Sequence, residues 1–556
     1  MSAEFDASDQ PAGLAPPRWG PFDSVAFTVI LVASTITNIG IAIFDTSSGW
    51  LMTTLNADPM AVSMVQIATT LPMFLLTLPA GALADIVDAR RLLIGVEIAV
   101  TVVSAVFAGL VAAGAATETA LLSTTFLLGA AGALVAPAWL KITPQLVPPQ
   151  ELASAVAANG AAYNMSRAVG PALGGVAIAT LGISSPYWAF SASNLALIAA
   201  LIWWRSPRKG VDGLPAERLS SAIRTGLRYA ANNRHLGATL VRALAFFPFA
   251  SAYWALLPLI ARNQMNNGPE VYGALLGAVG LGAIVSSFAL NWLKAEMGPN
   301  RLAILGSLGS ALALVLFAFA RGPGIALLAS LLAGASWIVV LACLFVSAQV
   351  ALPDWVRGRG LAIFLTVHFG AMTIGSAVWG RVASEEGLPI ALLAAAVAGL
   401  IAIPLTARWK LQAAAGLDLS PSMHWRTPTF ARSIDPDRGP VLVTVEYRVA
   451  KENCAAFLGA IDEIGRERRR DGAYAWGIFE DAQETGRFVE TFLIESWLEL
   501  RHLRQRVTNA DRIVEEEIRQ LLVVPQKPTF LVASRRSRRK KKKNVLKWRQ
   551  PAAPSL

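Results

Sequence analysis

From Phe22 to Trp409 the chain repeats apolar stretches of 18 to 25 residues, each closed by a polar turn. A helix of about 20 apolar residues crosses a ~30 Å hydrocarbon core, and in lipid the backbone must satisfy its own hydrogen bonds. Of the 556 residues, 54% are hydrophobic and only 15% charged, against about a quarter charged in an ordinary soluble domain. This excludes a soluble enzyme, a nucleic-acid-binding protein and a disordered scaffold for the first three quarters of the chain. An all-α polytopic membrane protein is expected there.

Twelve spans are expected, at 24–55, 60–83, 92–112, 120–140, 152–181, 187–204, 236–260, 270–293, 301–320, 325–349, 360–383 and 389–409. The first reads as one tilted helix ending at Asn56-Ala57-Asp58-Pro59. With the N-terminus inside, the cytoplasmic loops carry 13 Lys and Arg, among them Arg90, Arg91, Lys141, Arg357 and Arg359, against 3 on the other side. The positive-inside rule then puts both termini in the cytoplasm. The stretch 205–235 is the longest loop and divides the spans six and six. Pro148, Gly170 and Gly175 recur 205 residues later as Pro353, Gly375 and Gly380. Two parallel repeats of this kind are a transporter architecture.

The net charge of +11 belongs to the end of the chain. Residues 535–549 hold ten Lys and Arg and no acid, and without them the charge is +1. Such a run is expected against anionic lipid head groups rather than nucleic acid. Cys343 sits in an apolar span and Cys454 in a polar region, so no disulfide is expected. Residues 1–21 are acidic and lack a basic leading region, which reads as a disordered arm without a cleaved signal peptide. The resulting division is 1–21 arm, 22–204 spans one to six, 205–235 cytoplasmic loop, 236–410 spans seven to twelve, 411–435 linker, 436–534 α+β domain and 535–556 disordered basic tail.

Gly81, Asp85, Arg90 and Arg91 follow the second span, and Gly170, Pro171, Gly174 and Gly175 lie in the fifth. With Ser48-Gly-Trp-Leu-Met-Thr53 and Leu352-Pro-Asp-Trp-Val-Arg-Gly-Arg359, these residues make the chain resemble a major facilitator superfamily transporter. More narrowly, residues 22 to 410 resemble the enterobactin-exporter-like, transmembrane secretion effector branch. Gly-Pro-x-x-Gly-Gly is the exporter-associated signature in that resemblance. The chain departs from the pattern at Ile86 and at Asp88-Ala89, and Ser286 to Lys294 keeps no clear second copy. The resemblance therefore implies a cytoplasmic latch that is weaker or differently paired.

Ionisable groups inside a bilayer are costly and mark function by default. Asp45 lies past the middle of span one, before Thr46-Ser47-Ser48. A carboxyl in a low-dielectric surround binds protons more readily than in water, as a proton carrier needs; the plain alternative is a carboxylate wetted at the outer mouth. Glu97 is a second proton-coupling candidate or a partner for a nearby arginine. Arg167, in mid span five, needs an acid, a carbonyl or an anionic substrate. His368 is a candidate relay or an interhelical hydrogen-bonding residue. Asn38, Tyr163 and Asn164 are candidates for the cavity, as are Trp50, Phe249 and Trp254. Gly81, Asp85, Arg90 and Arg91 are candidate gating residues, since an acid and a basic cluster at a helix–loop junction can pair in one state and part in the other. Gly170, Gly174 and Gly175 permit close helix approach, and Pro171 removes a backbone hydrogen bond. There is no Gly-Lys-Ser/Thr phosphate loop and no metal-ligand spacing of Cys or His, so no cofactor and no metal are expected.

Beyond Trp409 the pattern changes to β-α-β-β-α-β, a ferredoxin-like sandwich. Strands are expected at 441–449, 473–480, 487–495 and 529–533. The domain resembles antibiotic-biosynthesis-monooxygenase-type α+β barrels, which implies dimerisation through the sheet. A dimerisation or regulatory role stands beside an enzymatic one using Trp476, Trp497 and His502, and fold alone does not decide. The leading expectation is a transporter of the bacterial inner membrane that exports a siderophore-like, drug-like or metabolite molecule by proton antiport, without catalytic residues. The rivals are a membrane-tethered enzyme or sensor and a proton-coupled importer.

Overall fold

The computed structural model describes residues 20–205, 219–412, 418–420, 422, 435 and 438–533. The N-terminal arm, most of the linker and the basic tail lie outside them. The chain forms two units. The first holds the helices of both halves; the second holds the C-terminal sheet domain together with 224–237 and 351–357.

In the first half the helices are α1 Val25–Leu55, α2 Pro59–Ile86, α3 Ala89–Ala112, α4 Glu118–Leu146, α5 Leu152–Leu181 and α6 Ser185–Trp203. Polar caps start them where the sequence turns. Ser24 accepts from the Phe27 N–H, Asp58 from Ala61, Asp88 from Arg91 and Thr117 from Ala120, each satisfying an amide with no partner in its own helix. After α7 Leu219–Asn232 come α8 Arg234–Leu244, α9 Phe247–Leu259, α10 Pro269–Phe319, α11 Pro323–Val350, α12 Asp354–Glu386 and α13 Leu388–Thr406. Among the described residues, eleven helical stretches are long and apolar enough to cross a membrane. The 30-residue α5, at the place of the fifth expected span, is long enough but more polar.

One span differs from expectation. The seventh is broken into α8 and α9 because Pro248, at the start of α9, has no N–H to continue the ladder. A π-helical turn, Ile260–Gln264, then prolongs it. The eighth and ninth are present as the stretches Pro269–Leu290 and Trp292–Phe319 of α10, which is broken at Gly298, where φ of 71° and ψ of 163° lie outside helical space.

The internal repeat has a geometric counterpart. Gly170 faces Ala42 of α1, and Gly175 faces Pro269 and Gly273 of α10. Their counterparts on α12 make the matching contacts: Gly375 faces Pro248 of α9, and Gly380 faces Pro59 and Ser63 of α2. The fifth span of each half thus crosses the first span of its own half and the second span of the other. At each crossing a side chain would hold the backbones apart.

In the second unit, β1 Val441–Val449, β2 Tyr474–Glu480, β3 Arg487–Ile494 and β4 Leu522–Val532 form one antiparallel sheet in the order β2-β3-β1-β4. Helices α14 Cys454–Asp471, α15 Trp497–Arg506 and α16 Asn509–Gln520 complete the ferredoxin-like order. Val441, Val443, Val445, Tyr447 and Val449 alternate into a core with Phe457, Ile461, Phe488 and Phe492. The last strand starts seven residues before its expected place. It carries Pro525 and Pro528, which an edge strand such as β4 tolerates.

Candidate functional site

Asn38 and Asp45 stand seven residues apart on α1, two turns and therefore one face. Asn38 is half-buried; Asp45 is exposed, although protein surrounds it. On α5, Tyr163, Asn164 and Arg167 share a face one turn apart and are all exposed. Contacts of α1 with α5 bring the two faces together: Ser166 donates to the Thr35 carbonyl at 3.3 Å, and Gly174 lies against Ile43 and Thr46.

The Arg167 guanidinium lies 5.4 Å from the Trp254 ring of α9 and 6.0 Å from the Tyr163 ring. Among the described residues it makes no hydrogen bond and no direct ion pair, and Asp45 makes none either. The two interact electrostatically at longer range, as does Asp45 with Tyr272 of α10. A guanidinium has five donors in a fixed fork. Here aromatic faces hold it in place while those donors remain available.

The other candidates are placed differently. His368 is buried on α12, with its ring 4.1 Å from Phe247 and 5.8 Å from Trp337. Its Nδ1 is buried without a partner, and Arg167 acts on it through space. Glu97 is buried on α3, a helix packed on α4 and α6. Its carboxyl has no hydrogen bond or ion pair among the described residues, so it is paired with neither Arg90 nor Arg91. Arg90 donates to the carbonyls of Leu201 and Ile202 at 2.7 and 2.9 Å, closing the C-terminus of α6. Arg91 is exposed, and Gly81 has open space where a Cβ would stand. Asp85 falls in the last turn of α2, and its side chain lies outside the described residues. Gly170, Gly174 and Gly175 sit at helix crossings, and the Pro171 carbonyl faces Gly273.

A second cluster lies at the C-terminal end of α1, where Thr46 to Thr53 are buried. Arg262 donates to Thr53 Oγ1 at 2.9 Å and lies 5.8 Å from the Trp50 ring, which stacks on Tyr272 at 6.2 Å. Arg262 counted in the sequence only as a loop charge; nothing near it signals a partner 209 residues away. Further contacts join the halves toward the same end: Thr70 with Thr373 at 2.8 Å, and Ser384 with Asp58. By contrast, much of α5 from 153 to 165 is exposed. In the C-terminal unit, Trp476 donates to Glu490, Trp497 is in the core and His502 lies beside Glu499. These three are engaged separately, and the described residues hold no cluster of metal-binding side chains.

Comparison with known proteins gives a consistent picture. Residues 17–538 match the family described as transmembrane secretion effector, a match that runs through the C-terminal domain. The multidrug efflux pump Tap of Mycolicibacterium fortuitum is 24% identical over 384 residues, 66% of this chain and 91% of that protein. The enterobactin exporter EntS of Shigella boydii is 26% identical over 272 residues, 48% of this chain and 63% of the exporter. Among solved structures, the nucleoside transporter NupG superposes with a TM-score of 0.54 at 11% identity, covering 69% of this chain and 99% of that one. A bacterial homologue of the iron transporter ferroportin superposes with 0.52 at 18% identity, covering 69% and 98%. At these identities the structures share the fold.

Proposed function

Since the chain belongs to the transmembrane secretion effector family and is a multi-pass transporter of the major facilitator type, we propose that it exports a small molecule across the bacterial inner membrane by proton antiport, with both termini cytoplasmic. The observation that carries this reading is an uncommitted guanidinium and an uncommitted carboxylate acting on each other at longer range among the helices. An anchor for an enzyme or sensor needs neither. Charges inside a membrane unit persist only where they work or are paired.

In this reading Asp45 carries the proton and Arg167 sets the charge of the chamber. Asn38, Tyr163, Asn164 and Trp254 offer hydrogen bonds and ring faces to a siderophore-like, drug-like or metabolite cargo. When Asp45 is ionised, Arg167 is its counter-charge; when Asp45 takes a proton, the Arg167 donors turn to the cargo. Contacts from the middle of the bundle to the end closed by Arg262, Thr53, Trp50 and Tyr272 support a chamber open on the opposite side. Outward opening then requires those contacts to break while the α5 end closes. Glu97 and His368, both buried and, among the described residues, without side-chain hydrogen-bond partners, are secondary proton candidates. Gly81, Asp85 and Arg91 remain candidate gating residues, whereas Arg90 works chiefly as a brace on α6. The outer, half-buried sheet face of the C-terminal domain is a candidate for homodimerisation, and the basic tail for anionic lipid.

The test uses inverted vesicles acidified inside, with a catecholate siderophore and a lipophilic cation added in turn. A compound that triggers proton release from the parent and none from Asp45→Asn fits the proposal. Release that survives the substitution moves the proton to Glu97 or His368. No release with either compound, or substrate-driven proton uptake, removes antiport as the mechanism for these cargo classes.

A further inference from the structure

We propose that the C-terminal domain is a clasp built around two connecting segments of its own chain, and that its grip sets the rate at which the transporter changes access. Residues 224–237 follow the first six spans and lead into α8; residues 351–357 join α11 to α12. Both fold as part of the C-terminal unit.

The contact has the make-up of a specific interface, with a desolvated aromatic and arginine centre inside a ring of exposed charge pairs. Tyr229 is 1% exposed. The Arg470 guanidinium stands 5.5 Å from its ring and donates to Asp471 at 2.8 and 2.9 Å and to Asp511 at 2.8 Å. Trp355 meets Tyr229 edge to face at 5.6 Å, and Arg506 lies 4.5 Å from the Trp355 ring. Arg506 is fixed by the Asp471 carbonyl at 2.9 Å and by Glu499 at 2.6 Å. Arg228 approaches Glu499 at 3.8 Å. Asn233 binds the two segments to each other by donating to the Ala351 carbonyl at 2.9 Å. The outer pairs, Arg224 with Glu495 and Arg234 with Glu463, are exposed and contribute little.

Each arginine thus has carboxylate or carbonyl partners on the domain and an aromatic face from a connector. Without Tyr229 and Trp355 those guanidinium faces would be left against water, so the domain surface is shaped for this occupant. A domain that holds both connectors fixes the distance between the first turns of α8 and α12. The docking stands on these contacts alone; its effect on access rests on the transport reading above.

The experiment uses the full chain in lipid nanodiscs. Cys343→Ser and Cys454→Ser remove the native thiols, and Ala157→Cys places a reporter on the exposed stretch of α5. Hydrogen exchange of residues 226–232 reads the docking; labelling by a membrane-impermeant maleimide reads access. Tyr229→Ala is expected to speed that exchange about tenfold and to change labelling about threefold or more, as for release of a locally stable element. Tyr229→Phe keeps the ring under Arg470 and is expected to match the parent. Trp355→Ala removes the other ring and carries the same expectation should Tyr229→Ala fail to assemble. Unchanged exchange in both alanine variants overturns the clasp. Faster exchange with unchanged labelling overturns its role in access and leaves the export proposal standing.

Discussion

The chain treats the same residue types in opposite ways in its two units. In the C-terminal domain Arg468 is buried and bound to Glu515 at 2.8 Å, with Glu490 at 3.7 Å. Glu490 is itself closed off by Tyr447 at 2.7 Å and Trp476 at 2.9 Å. In this network each charge is answered by a neighbour. Among the helices, Arg167 and Asp45 are exposed, close enough to feel each other and bonded to nothing among the described residues. A buried charge whose hydrogen bonds are complete holds structure; a charge held in position with its hydrogen bonds open is available for a ligand.

Substitution at the two places should therefore separate stability from transport. Arg167→Met keeps the length and apolar contact of the side chain and removes its charge. Because truncating one partner of a charge-assisted contact costs ~2–5 kcal/mol, transport should fall roughly 30- to 5,000-fold while thermal stability is unchanged. A stability loss with normal transport would invert the comparison. Glu490→Ala should do the opposite. Leaving Arg468, Tyr447 and Trp476 without their shared acceptor should destabilise the C-terminal domain by about 3–5 kcal/mol, read by urea-dependent hydrogen exchange of α14 and β3. If those amides keep their protection, the network is dispensable and the contrast fails.

A smaller effect tests the helix crossings. A Cβ on Gly175 would come 2.5 Å from the Pro269 carbonyl and 3.0 Å from Gly273 Cα. Both obstacles are backbone, so Gly175→Val should cost ~1–3 kcal/mol as overpacking and lower the melting temperature. Gly160→Ala, on the same helix with open space around it, should leave the melting temperature unchanged. Equal effects at the two positions would show that the α5–α10 crossing does not depend on small residues.

Much of the fold was legible because lipid leaves few choices. Span length, polar caps and the 205-residue repeat are written in composition and spacing, and the matching contacts of α5 and α12 follow from the repeat. Arg167 and Asp45 were legible for the same reason, as costly charges in apolar stretches. What escaped were pairings distant in sequence. The contacts of Arg90 could not be foreseen, because its partners are main-chain carbonyls 111 and 112 residues away and carbonyls carry no sequence signal. Arg262 with Thr53, and Tyr229 under Arg470, are likewise ordinary residues made special by position. The start of β4 at Leu522 also escaped; its prolines, Pro525 and Pro528, are tolerated because β4 lies at the sheet edge.

The subtlest test concerns Glu467 of α14, whose Oε2 is buried without a hydrogen bond among the described residues. Burial, reinforced by Asp511 and Asp471 and opposed by Arg470 and Arg468, pushes its pKa up to about 9. The folded chain therefore holds a proton that the unfolded chain releases in the ordinary carboxylate range. Since stability rises with pH only where the unfolded state binds more protons, the contribution of this group is full below that range and declines as pH rises to about 9. Glu467→Gln keeps the shape of the protonated side chain and cannot ionise. The variant should thus gain on the parent as pH rises, with the difference in melting temperature of the C-terminal domain growing from pH 5 to pH 9 and levelling above. Parallel melting curves across that window would mean that Glu467 is ionised and partnered in solution, and that the charges beside the Tyr229 clasp are not balanced as the structure shows.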